Sequence, residues 1–458
     1  MIQASNDGLC PQRWAEQEFG GARLGDQRRV ARLMQIAAAF AAQPTASIPK
    51  ACTGWKQTKG AYRFFSHPQI RSKDLIAPHQ EQTRQRIGQE PVVLVVQDTT
   101  GLKFSSPAQL GLLGSGPEGA PGLWLHSSLA FTPEGQALGI VQVESWQRDR
   151  QQWGKAARRH QRATAEKESQ RWLNSHQGCV ALANDLPTTR LVNVADREGD
   201  LYALFEQAVI HPQVGVLVRA RHNRRTETGQ LLEQVLRDSP VAGVVKLSVP
   251  ARPGQSARTA QLEVRHCEVN LSAPRRTQGG RIRMWVVEAR EPRRPSGTPL
   301  HWRLVTNLPV MNLANALEKL RWYRVRWQIE EFHRVLKSGC NAQGRQLENA
   351  ERLLNVLMVD IVVAWRVLAL SRLGRQDSLE PVEQHFSAKE LEIIRRWSEQ
   401  RLGRPLHHPD LREAIRVVAQ MGGFLARRGD GEPGAMTLWR GLEVLSNMLL
   451  GWNLTKCG

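Results

Sequence analysis

Tyr323, Arg326, Glu330 and Lys337 stand three, four and seven residues apart in the run Tyr-Arg-Val-Arg-Trp-Gln-Ile-Glu-Glu-Phe-His-Arg-Val-Leu-Lys. The run has no Gly or Pro, and at about 3.6 residues per turn its spacing predicts one helix face bearing a phenol, a guanidinium, a carboxylate and an ammonium. A mixed-charge face alone is an ordinary solvated surface. Two more carboxylates give it a chemical use: Asp98 and Asp196 stand at or just past the ends of the strand-like runs Val92–Val96 and Arg190–Ala195. A few carboxylate oxygens, retained waters and substrate phosphate oxygens are what Mg²⁺ favours. Two such ions, about 3.5–4 Å apart, would activate water or a sugar hydroxyl and stabilise the leaving oxygen of a phosphoryl transfer. Arg326 and Lys337 could hold phosphates, and Tyr323 could donate to a backbone oxygen. These residues permit metal-dependent phosphoryl transfer without deciding which acids carry it.

The elements that must position them follow from the apolar pattern. Val92–Val96 is a β-branched run expected of a strand buried on both faces, followed by strands over Leu123–Phe131 and Ala137–Trp146 with a turn at Thr132–Gly135. A helix is expected around Ala163–Ser175, a strand over Arg190–Ala195, a helix over Leu201–Ile210 and a strand over Val214–Ala220. This order indicates a mixed α/β sheet. Between about 222 and 310 the helical signal disappears, and alternation in Val244–Val249, Gln261–Cys267, Arg281–Glu288 and Trp302–Thr306 predicts an all-β insertion. One helix over Asn312–Gly339, capped by Asn312 and stopped by Gly339, would carry the Tyr323–Lys337 face. Further helices are expected over 347–373, 387–400, 409–427 and 436–450. Residues 1 to about 75 read as helical, with Arg28, Arg29 and Arg32 close together and Lys56, Lys59 and Arg63 among aromatics, a mixture suited to phosphate contact and base stacking.

The chain of 458 residues carries 63 Lys and Arg against 43 Asp and Glu, a formal charge of +20, which would draw a polyanion by counterion release. No concentrated polybasic tail points to a membrane, and Val356–Leu373, broken by Asp360 and Arg366, reads as a buried helix. The six cysteines are scattered with no Cys-x-x-Cys pair, as expected of reduced thiols in a cytosolic protein, and the N-terminus has no signal-peptide pattern. Glu198 and Asp200 read as a solvated helix start.

Tyr-x-x-Arg-x-x-x-Glu-x-x-x-x-x-x-Lys at Tyr323–Lys337 resembles the YREK signature of the cut-and-paste DDE transposases of bacterial insertion sequences, the Tn-five-type group. Leu24-Gly25-Asp26, Arg28-Arg29 and Ala61-Tyr62-Arg63-Phe64 are similar to its DNA-binding region, and Asp98-Thr99-Thr100 and Asp196-Arg197-Glu198 to its two aspartate motifs. Glu166-Lys167-Glu168-Ser169 with Trp172, and Pro299-Leu300-His301-Trp302, extend the match over nearly the whole chain. The resemblance implies an RNase H-like mixed-sheet core over 76–372 with the β insertion at 222–310. A helical DNA-end-binding domain would occupy 1–75 and a helical dimerisation domain 373–458. It implies Asp98, Asp196 and Glu330 as the catalytic, metal-binding triad for two Mg²⁺ ions, which Mn²⁺ could replace. It chooses Glu330 over Glu331, which lies about 100° off that face. Tyr323, Arg326 and Lys337 would grip DNA near the cut, Trp302 would stack on a flipped base, and Arg219, Arg29, Arg32 and Arg63 would contact DNA. Where the family has a Lys-Tyr pair this chain reads Ala42-Gln43-Pro44, so end recognition should differ.

The implied partners are double-stranded DNA, as transposon inverted-repeat ends and as target, and a second copy of the chain on that DNA. The implied setting is the cytoplasm, at the nucleoid. Two other readings share these residues: a catalytically silent DNA-binding copy acting as an inhibitor, and a metal-dependent nuclease that never joins strands.

Overall fold

The computed structural model describes residues 11–52, 54–104, 110, 113, 121–147, 168–249, 257–274, 279–292, 298–375 and 380–454. Five helices open the chain: α1 (Pro11–Phe19), α2 (Gln27–Ala42), α3 (Ile48–Ala51), α4 (Trp55–Phe65) and α5 (Ser72–Ile87). Asp26 starts α2 by accepting the Arg28 N–H at 2.8 Å, an N-cap that satisfies one of the free donors of the first turn.

Then come β1 (Val92–Lys103), β2 (Gly122–Phe131), β3 (Ala137–Trp146), α6 (Gln170–Asp185), β4 (Arg190–Ala195), α7 (Tyr202–Ile210), β5 (Val214–Arg219) and α8 (Leu232–Asp238). The strands β6 (Gly243–Val249), β7 (Arg258–Leu271), β8 (Ile282–Arg290) and β9 (His301–Thr306) follow. All nine strands form one sheet in the order β3-β2-β1-β4-β5-β9-β8-β7-β6. β1, β4 and β5 are parallel neighbours, while β2 and β3 extend one side antiparallel and β9 pairs antiparallel with β5 on the other. Leu94 and Val96 belong to one hydrophobic cluster and Val93 and Val95 to another, so β1 is buried on both faces as its uninterrupted β-branched run predicts.

Three expectations are corrected in this half. Span 222–310 is not all β: Leu232 and Leu236, one turn apart, bury the face of α8. A seven-residue helix inside a strand-rich stretch leaves little periodic signal. Its strands also prolong the main sheet through β9. The helix expected at 163–175 runs Gln170–Asp185, and positions 163–167 lie outside the described residues.

The glutamate-bearing helix is divided. α9 (Leu313–Val325) ends at Arg326, whose N–H turns to the Tyr323 carbonyl at 3.1 Å, and α10 (Trp327–Arg334) begins again beyond it. Val335–Gly339 then widens into a π turn, closed by the Cys340 N–H on the Val335 carbonyl at 2.8 Å. Asn312 caps α9 as expected, its side chain accepting the Asn315 N–H at 3.0 Å. The chain finishes in α11 (Ala350–Leu373), α12 (Ala388–Leu402), α13 (Leu411–Met421) and α14 (Ala435–Leu454). α13 stops well short of the expected 427 because Gly422 and Gly423 follow Met421.

α11 is long and apolar enough to span a membrane, but 89% of its apolar window is buried in the protein, which agrees with the buried-helix reading. Side chains of α1, α2, α4, α5, the sheet and α10 share one hydrophobic cluster with it, including Phe40, Phe65, Phe332 and Leu357. Each fully buried side chain of this size contributes about 1.5–3 kcal/mol. Inside that core Asp360 takes two bonds from Arg345, at 2.9 and 2.6 Å, and Arg345 also donates to the Ala46 carbonyl at 2.8 Å.

Candidate nucleic-acid and metal site

The parallel pairing of β1 with β4 ends at Val96 beside Val194, and the same register two residues on sets Asp98 opposite Asp196. β1 itself does not end there: it stays paired with β2 as far as Lys103. Asp98 therefore lies within a strand whose other edge has just lost its neighbour. The C-terminal ends of parallel strands are where open α/β sheets leave a crevice, and both aspartates follow the end of this parallel pairing.

Asp98 accepts the Thr99 N–H at 2.8 Å, and its other oxygen is 3.9 Å from Arg326. Burial, then the Asp196 charge, push its carboxyl up to about 7; Thr99 and Arg326 oppose this and Glu330 adds to it. Asp196 caps the turn Arg197–Gly199 by accepting the Glu198 N–H at 2.8 Å. Gly199 has to be glycine, because a Cβ there would sit 2.5 Å from that of Ala195.

Glu330, one turn beyond Arg326, is paired with its guanidinium. Glu331 points elsewhere, into an ion pair with Arg372 on α11 and 3.5 Å from Arg334. Arg326 also lies 6.0 Å from the Tyr323 ring and 5.8 Å from that of Trp327. Tyr323 is buried and its phenol is raised by that burial, with Arg326 and Arg219 opposing and Asp196 reinforcing it. Arg219, the last residue of β5, donates to the His301 carbonyl at 3.1 Å. Burial lowers Lys337, nearby Lys103 lowers it further, and Asp98 opposes them.

The expected single helix through Tyr323–Lys337 is thus divided at Arg326 and again at Val335. The four residues stand on two helices and a π turn, yet Tyr323, Arg326, Glu330 and Lys337 still reach the Asp98–Asp196 crevice electrostatically. Trp302 stands apart, half-buried on β9 opposite Ala289 and packed on the main hydrophobic cluster.

The N-terminal arginines lie on other elements. Arg29 is tied within its own region, to the Leu24 carbonyl at 2.9 Å, Gln69 at 2.6 Å and His67 at 3.2 Å. The Arg32 guanidinium lies against Gly60 of α4, about 3.1 Å from where a Cβ would be. Arg63 is exposed on α4.

Asp98, Asp196 and Glu330 suit a hard divalent ion in kind, and the raised carboxyl of Asp98 is a charge that burial leaves poorly compensated. As the side chains stand, no group of three Asp, Glu, His or Cys among the described residues closes on one ion position. Arg326 holds Glu330 instead, and that pair would have to open for all three acids to share an ion.

Two residues escaped the sequence reading. Asp200, expected in solvent, is 2% exposed and accepts the N–H groups of Arg221 and His222 at 2.7 Å each, together with the Arg224 guanidinium at 3.1 and 2.5 Å. It clasps the turn after Asp196 to the segment after Arg219. Nothing local to Asp200 betrays partners more than twenty residues away. Glu198 is exposed, as expected. Trp327 is 59% exposed beside Arg326, and the place of an indole directly after the arginine was the available signal.

A family description of transposase DNA-binding regions matches residues 11–70. A second, the Transposase Tn5 dimerisation domain, matches residues 362–456, and the two together support a likeness to transposases of the Tn5 type. The cryo-EM structure of the piggyBac transposase synaptic complex with hairpin DNA is similar at a TM-score of 0.37 and 7% identity, over 80% of this chain and 72% of that one. That likeness is too slight to bear on fold or chemistry.

Proposed function

We propose that the chain is a metal-dependent cut-and-paste DNA transposase with an RNase H-like core, and that Asp98, Asp196 and Glu330 form its DDE triad. The observation that supports the reading is the convergence on Asp98: the parallel pairing of β1 and β4 ends two residues before Asp98 and Asp196, the Asp196 charge bears on Asp98, and Arg326, 3.9 Å from Asp98, is paired with Glu330. Divalent ions, Mg²⁺ or Mn²⁺, would supply there the activation of water or a 3′ hydroxyl and the stabilisation of the leaving oxygen. The three carboxylates would hold the ions. Arg326, released from Glu330, and Lys337 grip phosphates of the strand to be cut, and Tyr323 and Arg219 are assigned further contacts with that DNA. Trp302 is assigned the stacking of a base turned out of the duplex. Water nicks the transposon end, the freed 3′ hydroxyl closes a hairpin on the opposite strand, and the reopened end joins target DNA.

Two copies would act on two inverted-repeat ends, in the cytoplasm at the nucleoid. Leu425, Met436, Met448 and Leu450, exposed in the region matched as a dimerisation domain, support such a pairing.

The test uses the full chain, a duplex carrying the inverted repeats that flank its coding region, and Mg²⁺. Nicks, hairpins and joined products are expected. Glu330→Ala should lower cleavage by about 10³-fold, the scale of removing one preorganised electrostatic partner of the reacting centre, with end binding within twofold of wild type. Cleavage by Glu330→Ala at the wild-type rate would end the assignment. Nicks without hairpins or joined ends would leave a nuclease, and binding without nicks an inhibitor.

A further inference from the structure

Trp55 is the most exposed large apolar side chain among the described residues, at 78%. It opens α4, and Lys59, Tyr62 and Arg63 follow four, seven and eight residues on, which is one helix face. That face and Lys50 of α3 line a groove of about 780 Å³, floored by Thr58. A second groove of about 500 Å³ shares Tyr62 and Arg63 and continues to Arg352 at the start of α11. An indole left in water inside a ring of cations has no folding reason for its position. The arrangement complements a polyanion that offers an apolar surface between its charges, and the groove lies within the region matched as transposase DNA-binding. Arg29 of α2 is engaged within the protein and Arg32 is laid against α4, while Trp55, Lys59 and Arg63 of α4 are exposed.

We propose that Trp55 is a sequence-reading residue for duplex DNA: its indole packs on a thymine methyl in the major groove while Lys50, Lys59 and Arg63 hold the flanking phosphates. This rests on the DNA-binding reading above and adds to it the residue that discriminates and the base group it discriminates by. Lysine–phosphate contacts are blind to sequence, and the thymine C5 methyl is the one apolar mark in the major groove, so an indole among cations divides the two tasks cleanly. The exposure of Trp55 also means its replacement removes no packed core.

The experiment uses the full-length protein. A random-sequence duplex pool is selected for binding, and the selected duplex is then remade with deoxyuridine at each thymine in turn, which deletes only the methyl. Wild type should lose about fourfold in affinity at one or more thymines, the worth of one buried methyl-sized group. Trp55→Ala should bind the thymine duplex at least tenfold more weakly and be indifferent to deoxyuridine, with Trp55→Phe in between. Lys59→Ala should weaken every duplex alike and reduce the salt slope of binding by about one. A Trp55→Ala protein that keeps the wild-type ratio of thymine to deoxyuridine affinities overturns the proposal and leaves DNA binding standing. So does a wild type indifferent at every thymine. A wild type that binds no duplex even at low salt removes the DNA-binding reading as well.

Discussion

Two arginine–carboxylate pairs in this molecule share their chemistry and differ in how fully they are closed. Arg345 and Asp360 meet in the core with side chains 2% and 1% exposed, joined by two bonds, with a third from Arg345 to the Ala46 carbonyl. Arg326 faces two acids at once: it is paired with the partly exposed Glu330 and stands 3.9 Å from Asp98. The first pair satisfies its polar atoms and has one arrangement. The second leaves Asp98 undercompensated, its carboxyl pushed up to about 7 by burial and then by Asp196, and its glutamate partner reaches water. A closed pair holds α11 to the N-terminal region; an open one is what a site needs if its arginine is to change partners between a glutamate and a phosphate.

The largest predicted effect breaks the closed pair. Arg345→Met should cost about 3–5 kcal/mol, because it strands Asp360 in the core. Arg326→Met should cost less than about 1 kcal/mol, since its partners reach water or can take up a proton, while abolishing cleavage. Urea unfolding of the two variants at one pH checks this directly. Equal losses would mean that Arg326 is as structural as Arg345 and would remove the contrast.

The same contrast shows which parts of the chain could be seen in its sequence. The strands were legible because β1 opens on a short β-branched run and β4 and β5 are short apolar runs, and the acids were legible because they follow such runs. Asn312 and Asp26 announced their helices by cap chemistry. The break at Arg326 was not legible: Tyr323–Lys337 has no Gly or Pro, and the helix is interrupted where buried Tyr323 and half-buried Arg326 turn toward Arg219 and the acids, a tertiary cause. Asp200 was misread for the same reason, since a charged residue at a helix start reads as solvated until its distant partners are known. Arg29, assigned to DNA, shows a partner the sequence did not reveal, since it also bonds the Leu24 carbonyl and Gln69. Periodicity reports which face is apolar; it does not report which charge has already found a partner.

Asp200 supplies an intermediate case, a closed clasp that serves the open site. Its carboxylate joins the turn following Asp196 to the residues following Arg219, so loosening it should displace both without touching either. Asp200→Asn is expected to slow cleavage by about 10–100-fold, the usual cost of losing a group that orients a metal ligand, with end binding within twofold. Single-turnover cleavage and a binding assay on the same preparation measure it. A parallel fall in both would make Asp200 merely structural, and unchanged cleavage would show that Asp196 is held by its own turn.

The smallest effect concerns the far side of β1, where burial works on a base instead of an acid. His126 on β2 bonds Thr99 at 2.8 Å and Gln97 at 3.0 Å, and burial, then the charge of Arg171, push its pKa down to about 3. An unfolded histidine takes a proton near pH 6.5 and this one does not, so its contribution is whole above pH 6.5 and lost as the pH falls toward 3. Within that window each pH unit should remove up to about 1.4 kcal/mol from wild type relative to His126→Gln, which keeps a hydrogen-bonding side chain but cannot titrate. His333, lowered to about 3 by burial and then by Lys337 and His126, would preserve part of the acid slope in the variant. Unfolding free energies of the two proteins between pH 7 and pH 4.5 give the difference. Parallel curves would mean that His126 already takes up its proton in the fold, and the site's β2 side would then be as open to charge as its Arg326 side.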